Sequence, residues 1–450
     1  MKSLNQQSIN LLSSGQVISG VLSAVKELLE NALDSGAKTV KLKLEDQGLK
    51  RIAVIDDGCG ITPNGRDTCC HAYTTSKIVY FEDLMNDLST FGFRGEALHS
   101  LCCVGDVEVI TRCRDEDIAK KLIFDHDGNI AKKENVAAPF GTSVTVTNLL
   151  SVFPVRVREE RSNFSVEHLK DLLAKYYLSS PSVRFVIDAA PFLTQTRPPL
   201  TSLTQAVTFE FGTQVTAALM EKSAEGYSGD IRIRVKGLVP SPNCNWKDAS
   251  TSRMQSKQFL IVNGRPVKNN EIEKKINEIC WKIHGSIPKR FPRFIICIDF
   301  FRDTQLCSSM MDINIDPSKL HIQFSDYGTI FKLIEQLFDE QKQELSFKQI
   351  KEWPSTFISL SYPEIDLKKL SSCIWKDSGS FGEYSLLTVI DFANNTHLIA
   401  AKLQMLYEKC GIPPAEIDRT EKSELIRTYW DQLMEIHQTI PCLFHVCQID

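Results

Sequence analysis

The sequence contains no apolar run approaching the about 20 residues that a membrane-spanning helix needs, so no such helix is read from it. Its first ten residues, MKSLNQQSIN, are too polar for the apolar core of a signal peptide. It has no CxxC pair, although it has 14 cysteines. Several of these are adjacent (Cys69-Cys70, Cys102-Cys103) or lie inside apolar segments, which argues against a disulfide framework and against a zinc site. Reduced, mostly buried thiols of an intracellular protein are expected instead. The phosphate-loop pattern GxxxxGK[ST] is missing, which removes the commonest glycine-rich route to a nucleotide. There is no internal repeat and no low-complexity tract. Positive charge is not in excess either: the net charge is −4, so the molecule as a whole is not a basic nucleic-acid binder.

What remains is the composition of an ordinary globular protein, 42% hydrophobic and 24% charged over 450 residues. That length suggests about three domains. Residues 1–200 interleave helical patterns with hairpin-like strands, beginning with a helix over 16–34 and strands at TVKLKLED and RIAVIDD. A loop-rich stretch, 57–95, follows, then EALHSLCCVG, strands at VEVITRC, KKLIFDHDG and TSVTVTNL, a helix at VEHLKDLLAKYYL and a strand at VRFVIDAA. This order predicts a mixed α/β sandwich and not a doubly wound parallel sheet. TQTRPPLTS (194–202) reads as an interdomain break. Residues 203–345 repeat an α/β pattern with DIRIRVKGLV, QFLIVNGRPV, a helix over 269–284, RFIICIDFF, MDINIDPSK and a closing helix over 328–346. Residues 346–450 change character, with short strands and helices near 396–410 and 421–437.

Several short stretches have chemical potential. KELLENALDSGA (26–37) continues an apolar helical stripe and places Glu27 with Asn31, and Glu30 with Asp34, four residues apart on the polar arc. By itself that arc reads as a solvated helix face rather than the wall of a site. In IDDGCGI (55–61) a strand ends in two carboxylates followed by Gly58 and Gly60, where backbone can approach a ligand closely and a buried carboxylate can accept from an amino group such as that of adenine. TTSK offers Lys77 as a phosphate partner. In FGFRGEAL (91–98) two glycines bracket Arg94 and a helix follows, a geometry whose free N–H groups and positive dipole end suit phosphates. GTSV (141–144) is a glycine-initiated turn into a strand, and DINIDPSK (312–319) delivers Lys319 at a strand end. Residues 251–294 hold ten Lys/Arg (Arg253, Lys257, Arg265, Lys268, Lys274, Lys275, Lys282, Lys289, Arg290, Arg293) against three Glu. This segment is either a surface for the phosphate backbone of DNA or a solvated basic face.

Taken in this order, KELLENALDSGA, DDGCGI, YTTSK, FGFRGEAL, VNGRPV and INIDPSK resemble the motifs of the MutL family of DNA mismatch repair ATPases, part of the gyrase, heat-shock-chaperone, histidine-kinase and MutL superfamily. LLSSGQVI and FDHDGNI look most like its eukaryotic post-meiotic-segregation branch. The resemblance covers about residues 1–345. It implies an ATP-binding α/β sandwich (1–200), a ribosomal-protein-like α/β second domain with a DNA-binding role (203–345) and leaves 346–450 as a tail of unknown role. It implies Glu27 as the general base for attack of water on the γ-phosphate, Asn31 as the Mg²⁺ ligand, Asp56 as the adenine-reading carboxylate with Gly60 beside the base and Thr142 in support, and Lys77 as a nucleotide contact. Gly92, Phe93, Arg94, Gly95, Glu96, Ala97 and Leu98 correspond to the lid over the phosphates, and Lys319 to the γ-phosphate sensor of the second domain. The implied function is an ATP-gated clamp on DNA, nuclear, with ATP and Mg²⁺ as cofactors. A second MutL-type subunit and a mismatch-recognition protein are the implied partners.

The sequence departs from the family pattern in four places. SVFPVRVREE keeps Pro154 and Arg156 but alters the loop around them. SGQ (Ser14, Gly15, Gln16) replaces AGE, and Asp57 replaces an asparagine, adding a carboxylate near the nucleotide. WDQLMEIHQ (430–438) lacks the His-Ala and spaced acids of the family's nicking motif, so no endonuclease is expected from this chain. Two other readings stand beside the ATPase clamp. One is a nucleotide-gated scaffold with little turnover. The other is a chaperone or type II topoisomerase subunit, which FGFRGEAL and INIDPSK disfavour.

Overall fold

The computed structural model describes residues 5–75, 77, 90–92, 94–252, 257–284, 290–303, 305–312 and 321–338. Met1–Leu337 forms one compact unit. The tail 346–450 and its expected helices lie outside the described residues, as do Phe93, Arg253, Lys289 and Lys319.

The first half of this unit is built on an eight-stranded sheet: β1 (Thr39–Glu45), β2 (Arg51–Asp56), β3 (Asp106–Arg112), β4 (Ala119–Phe124), β5 (Ile130–Val136), β6 (Gly141–Thr147), β7 (Arg184–Ala189) and β8 (Leu193–Arg197). Their spatial order is β5-β4-β3-β6-β2-β1-β7-β8, with only the β1–β7 pair parallel. The strand alternation is explicit in TVKLKLE, where Val40, Leu42 and Leu44 point into the core and the lysines point out. Helices α1 (Gln6–Val17), α2 (Val21–Asp34), α3 (Ala97–Val104), α4 (Pro154–Asn163) and α5 (Val166–Ser179) belong to this half. Leu28 and Leu29 of α2, Leu101 of α3 and Leu169 and Leu173 of α5 share one core with the sheet. Burial of this kind contributes about 25 cal/mol per Å² of apolar area.

The single helix expected over 16–34 is two helices, broken at Ile18–Gly20. The break is stabilised by polar contacts that the sequence pattern does not show. The Gly20 amide donates to Ser23 Oγ at 3.0 Å and the Val21 amide to Glu160 Oε2 at 2.9 Å. Glu160 comes from α4, the helix formed by the altered SVFPVRVREE segment. Its Arg156 donates to the Gly15 carbonyl at 3.0 Å, so this segment braces the α1–α2 connection. TQTRPPLTS is only partly a break, because its first residues complete the edge strand β8.

The second half carries β9 (Leu219–Ser228), β10 (Ile231–Pro240), β11 (Gln258–Val262), β12 (Arg265–Val267), β13 (Phe294–Arg302) and β14 (Gln305–Leu306). Their order is β12-β11-β13-β10-β9, with β14 on β13. Helices α6 (Leu203–Phe211), α7 (Asn270–His284) and α8 (Tyr327–Gln336) accompany this sheet. On α7, Ile272, Ile276, Ile279 and Ile283 form the buried stripe expected of an amphipathic helix. The two halves share α5. Its Leu169 and Leu173 belong to the first core, whereas Ala174 and Leu178 belong to a second one with Ala206, Val207, Phe259 and Ile295. Fully buried Arg197 sits at this joint and donates to the Tyr177 carbonyl at 2.8 Å.

Candidate nucleotide site

The polar arc of α2 is the wall of a cavity of about 650 Å³. Glu27, Asn31 and Asp34 line it, as do Asp56 and Gly60 after β2, Lys77, and Thr142 on β6. Gly92, Arg94, Gly95, Glu96, Ala97 and Leu98, the stretch leading into α3, close another side. Of the residues expected at the site, Phe93 and Lys319 lie outside the described residues.

Glu27 is almost fully buried, and so are its neighbours Lys26 and Glu30. Lys26 Nζ reaches Glu27 Oε1 at 2.9 Å and Glu30 Oε2 at 3.0 Å. Tyr176 of α5 donates to Glu30 Oε1 at 2.8 Å. Burial would lower the Lys26 pKa, but the flanking Glu30 and Glu27 outweigh it and raise it, so the ammonium persists. The Tyr176 hydroxyl is raised well above its usual range by burial and by Glu30. Glu30 therefore does not line the cavity. It fixes the outer side of the α2 wall, while Glu27 faces the cavity four residues from Asn31.

Asp34, at the end of the same α2 wall, organises the stretch at residues 91–92. Its Oδ1 accepts from the Phe91 amide at 2.7 Å and its Oδ2 from the Gly92 amide at 2.9 Å. Lys77 Nζ joins the same carboxylate at 2.5 Å and Asn31 Oδ1 at 3.2 Å. Gly95 has φ +65, and a Cβ there would stand 2.4 Å from the Thr74 carbonyl oxygen, so this turn into α3 requires glycine. Glu96, Ala97 and Leu98 at the start of α3 line the cavity, and the first N–H groups of a helix have no partner within it.

At the far end, Asp56 Oδ1 accepts from the Gly58 amide at 2.9 Å and the Thr142 amide at 3.3 Å. It also lies 3.2 Å from Ser35 Oγ, whose hydroxyl is shared with the Ala32 carbonyl. These donors all converge on Oδ1, which leaves Oδ2 to accept from a ligand. Burial pushes the Asp56 carboxyl up to about 6, against the opposing pull of those hydrogen bonds. The Thr142 hydroxyl lies 3.3 Å from that of Thr111, which accepts from the Ile61 amide at 2.8 Å.

Asp57 does not add a carboxylate to the cavity lining. Its Oδ1 accepts from the amides of Lys38 and Thr39 at 2.7 and 2.8 Å, across the start of β1. Although burial pushes the other way, those amides hold its pKa below the usual carboxylate value.

The basic segment is not one charged face. Arg265 is a buried residue, only 5% exposed, and it contacts residues 90–91 of the first half; its place in a surface patch is thereby corrected. Lys257 pairs with Asp171 of α5, and Lys275 with Glu335 at 2.5 Å. Arg290 donates to Ser250 Oγ at 2.7 Å and to the Lys247 carbonyl at 2.8 Å, and Arg293 is partly buried. Lys268, Lys274 and Lys282 are exposed. The ten described cysteines are free, and seven of them are buried.

Residues 18–149 match the family model of the histidine kinase-, DNA gyrase B- and HSP90-like ATPases, and residues 210–343 match that of the DNA mismatch repair protein C-terminal domain. The chain belongs to the MutL family of DNA mismatch repair proteins. It is 35% identical over 340 residues to the DNA mismatch repair protein PMS1 of Arabidopsis thaliana, covering 73% of this chain and 35% of that one. It is 30% identical over 345 residues to the PMS1 protein homolog 1 of Homo sapiens, covering 75% of this chain and 36% of that one. The chain thus spans about a third of the length of these MutL-family relatives. The crystal structure of the N-terminal domain of a DNA repair protein matches with a TM-score of 0.61 at 25% identity, covering 75% of this chain and 99% of that one.

Proposed function

We propose that this MutL-family chain binds ATP in the α2 cavity and hydrolyses it slowly, with Mg²⁺, as the ATP-gated part of a mismatch repair complex on DNA. The observation that carries the reading is that one cavity is lined by Glu27, Asn31, Lys77, Asp56, Gly60 and Thr142, with Lys77 in contact with Asn31 and Asp56 bonded to the Thr142 amide. A buried carboxylate acceptor together with a cationic, carboxamide-bearing group suits a ligand that has an amino-bearing base and a charged phosphate chain. Asp56 Oδ2 accepts from the adenine amino group, beside the turn at Gly60 (φ +76), where a side chain would meet the Arg112 carbonyl and only glycine fits. The amides around Gly95 and the start of α3 take the phosphates, with Lys77 and Arg94 adding positive charge. Glu27 takes the proton of the attacking water, its carboxylate fixed through Oε1 by Lys26.

The carboxamide oxygen of Asn31 is a hard donor on the cavity wall, within reach of Lys77. It fits a Mg²⁺ that keeps most of its shell as water and phosphate oxygens. Bound there, the ion supplies neutralisation of the phosphate charge. Lys319 is proposed as the γ-phosphate contact from the second half. Exposed Lys268, Lys274 and Lys282 are the part of the basic segment open to DNA backbone. A second MutL-type subunit, a mismatch-recognition protein and a nuclear location complete the proposal.

The test is steady-state ATP hydrolysis by the purified chain with Mg²⁺, wild type beside Glu27→Ala, with ATP binding measured in both. Turnover in the wild type that is lost in the variant while binding persists supports the reading. Binding without turnover in either protein replaces it with the nucleotide-gated scaffold. Binding in neither refutes it.

A further inference from the structure

We propose that Arg265 is a positioning residue through which the second sheet holds the phosphate-facing segment 90–92 in place. This rests on the nucleotide reading above and extends it to the other half of the molecule. Arg265 opens β12, and its guanidinium reaches out of the second sheet into the first half. Nη2 donates to the carbonyls of Thr90 at 2.5 Å and Phe91 at 2.8 Å, and the guanidinium carbon lies 5.5 Å from the centre of the Phe91 ring. From the opposite side Asp34 accepts the amides of Phe91 and Gly92. Tyr176, anchored on Glu30, meets the Phe91 ring edge-on with centroids 6.1 Å apart.

The peptide groups of this segment are therefore held twice. A carboxylate of α2 takes their N–H groups, and a guanidinium of the other half takes their C=O groups. Arg265 is a poor choice for mere joint filling. Burial of an arginine is unfavourable unless its donors are used, and among the described residues its Nη1 has no partner. Its Nη2 goes to main-chain oxygens, so the segment's position is set by a rigid planar group rather than by a flexible ion pair. Glu30, Asp34 and Glu27 surround it electrostatically and offset part of the burial. Any movement of residues 90–92 toward bound phosphate is felt at Arg265, and the coupling acts equally in the reverse direction.

The test compares Arg265→Lys and Arg265→Met with the wild-type chain. Four quantities are measured: amide exchange at Phe91 and Gly92 without nucleotide, ADP affinity, kcat and KM for ATP, and the melting temperature. Loss of the two charged hydrogen bonds predicts about tenfold faster exchange at these amides and about tenfold lower kcat for Met, with ADP affinity within about threefold of wild type. Lys should recover part of both losses. Unchanged exchange and unchanged kcat would overturn the proposal. So would kcat and ADP affinity falling together with the folded fraction in both variants, since that is the mark of a purely structural residue. A wild type that neither binds nor hydrolyses ATP would sink the nucleotide reading, while the exchange measurement would still decide whether Arg265 holds the segment.

Discussion

On one side of the cavity, Asp56 is held by Gly58 from the turn after β2, by Thr142 of β6 and by Ser35 from the end of α2. At the other end, residues 90–92 hang between Asp34 of α2 and Arg265 of the second sheet. The first end is made of short-range backbone geometry, with main-chain amides fixed by the β2–β6 pairing. The second is assembled from long side chains that come from separate elements and carry opposite charges. On the proposed function, a site built in this way keeps the Asp56 region fixed whatever the second half does. The segment 90–92 depends on how the two halves meet, and the proposed nucleotide-controlled change is expected there.

The comparison is broken most severely at the phosphate end. Glu27→Ala should lower kcat by about 10²-fold or more, as expected for loss of a general base, and leave ATP affinity within a few-fold. Equal losses in kcat and affinity would mean that Glu27 holds the wall together rather than acting on water. Asp34→Asn should have the next effect. It keeps one acceptor for the loop amides but loses the charge that pairs with Lys77, so kcat should fall about tenfold, with the base end untouched.

At the other end Asp56→Asn is the informative change. The asparagine oxygen can still accept from Gly58, Thr142 and Ser35, so only the acceptor that faces the ligand is lost. ATP affinity should fall about tenfold or more, measured by calorimetry. The nucleotide-free variant should at the same time melt higher at pH 7 to 8. Asp56 titrates at about 6 in the fold and near the ordinary carboxylate value of about 4 when unfolded. Between those values the native state holds a proton that the unfolded chain has lost, so wild-type stability falls as pH rises through that window. Removing the charge returns about 3 kcal/mol at neutral pH. ATP affinity of the wild type should weaken as pH drops below about 6, because protonation takes away the ionised acceptor. The smallest effect is expected on the exposed face. Lys274→Ala with Lys282→Ala should weaken binding to a DNA duplex by a few-fold and flatten its salt dependence, with ATP turnover unchanged.

The two ends also differ in how well the sequence reveals them. The base end was legible because its parts are contiguous: DDGCGI and GTSV each bring a polar residue and its turn glycine within a few positions. FGFRGEAL was legible for the same reason, through the glycine that its turn requires. Lys26, Glu30 and Tyr176 were not, since the Tyr176–Glu30 bond spans 146 residues and no local pattern announces it. Arg265 was misread as surface charge for the same reason: its partner Phe91 is 174 residues away. Asp57 turns away from the cavity because the amides of Lys38 and Thr39, just before and at the start of β1, take its carboxylate. Strand positions and the α/β class follow from alternation, but α4 does not, because PVRVREERSN buries no residue and so leaves no apolar stripe. Helix α2 was found, but its separation from α1 depends on Glu160, which also comes from α4.

The account is tested most directly by a crystal structure of the chain with Mg²⁺ and a non-hydrolysable ATP analogue. It predicts the adenine amino group on Asp56 Oδ2, the triphosphate against the segment from Gly92 to Ala97, and Glu27 beside the γ-phosphate. Adenine away from Asp56, or a triphosphate that does not contact the start of α3, would contradict it.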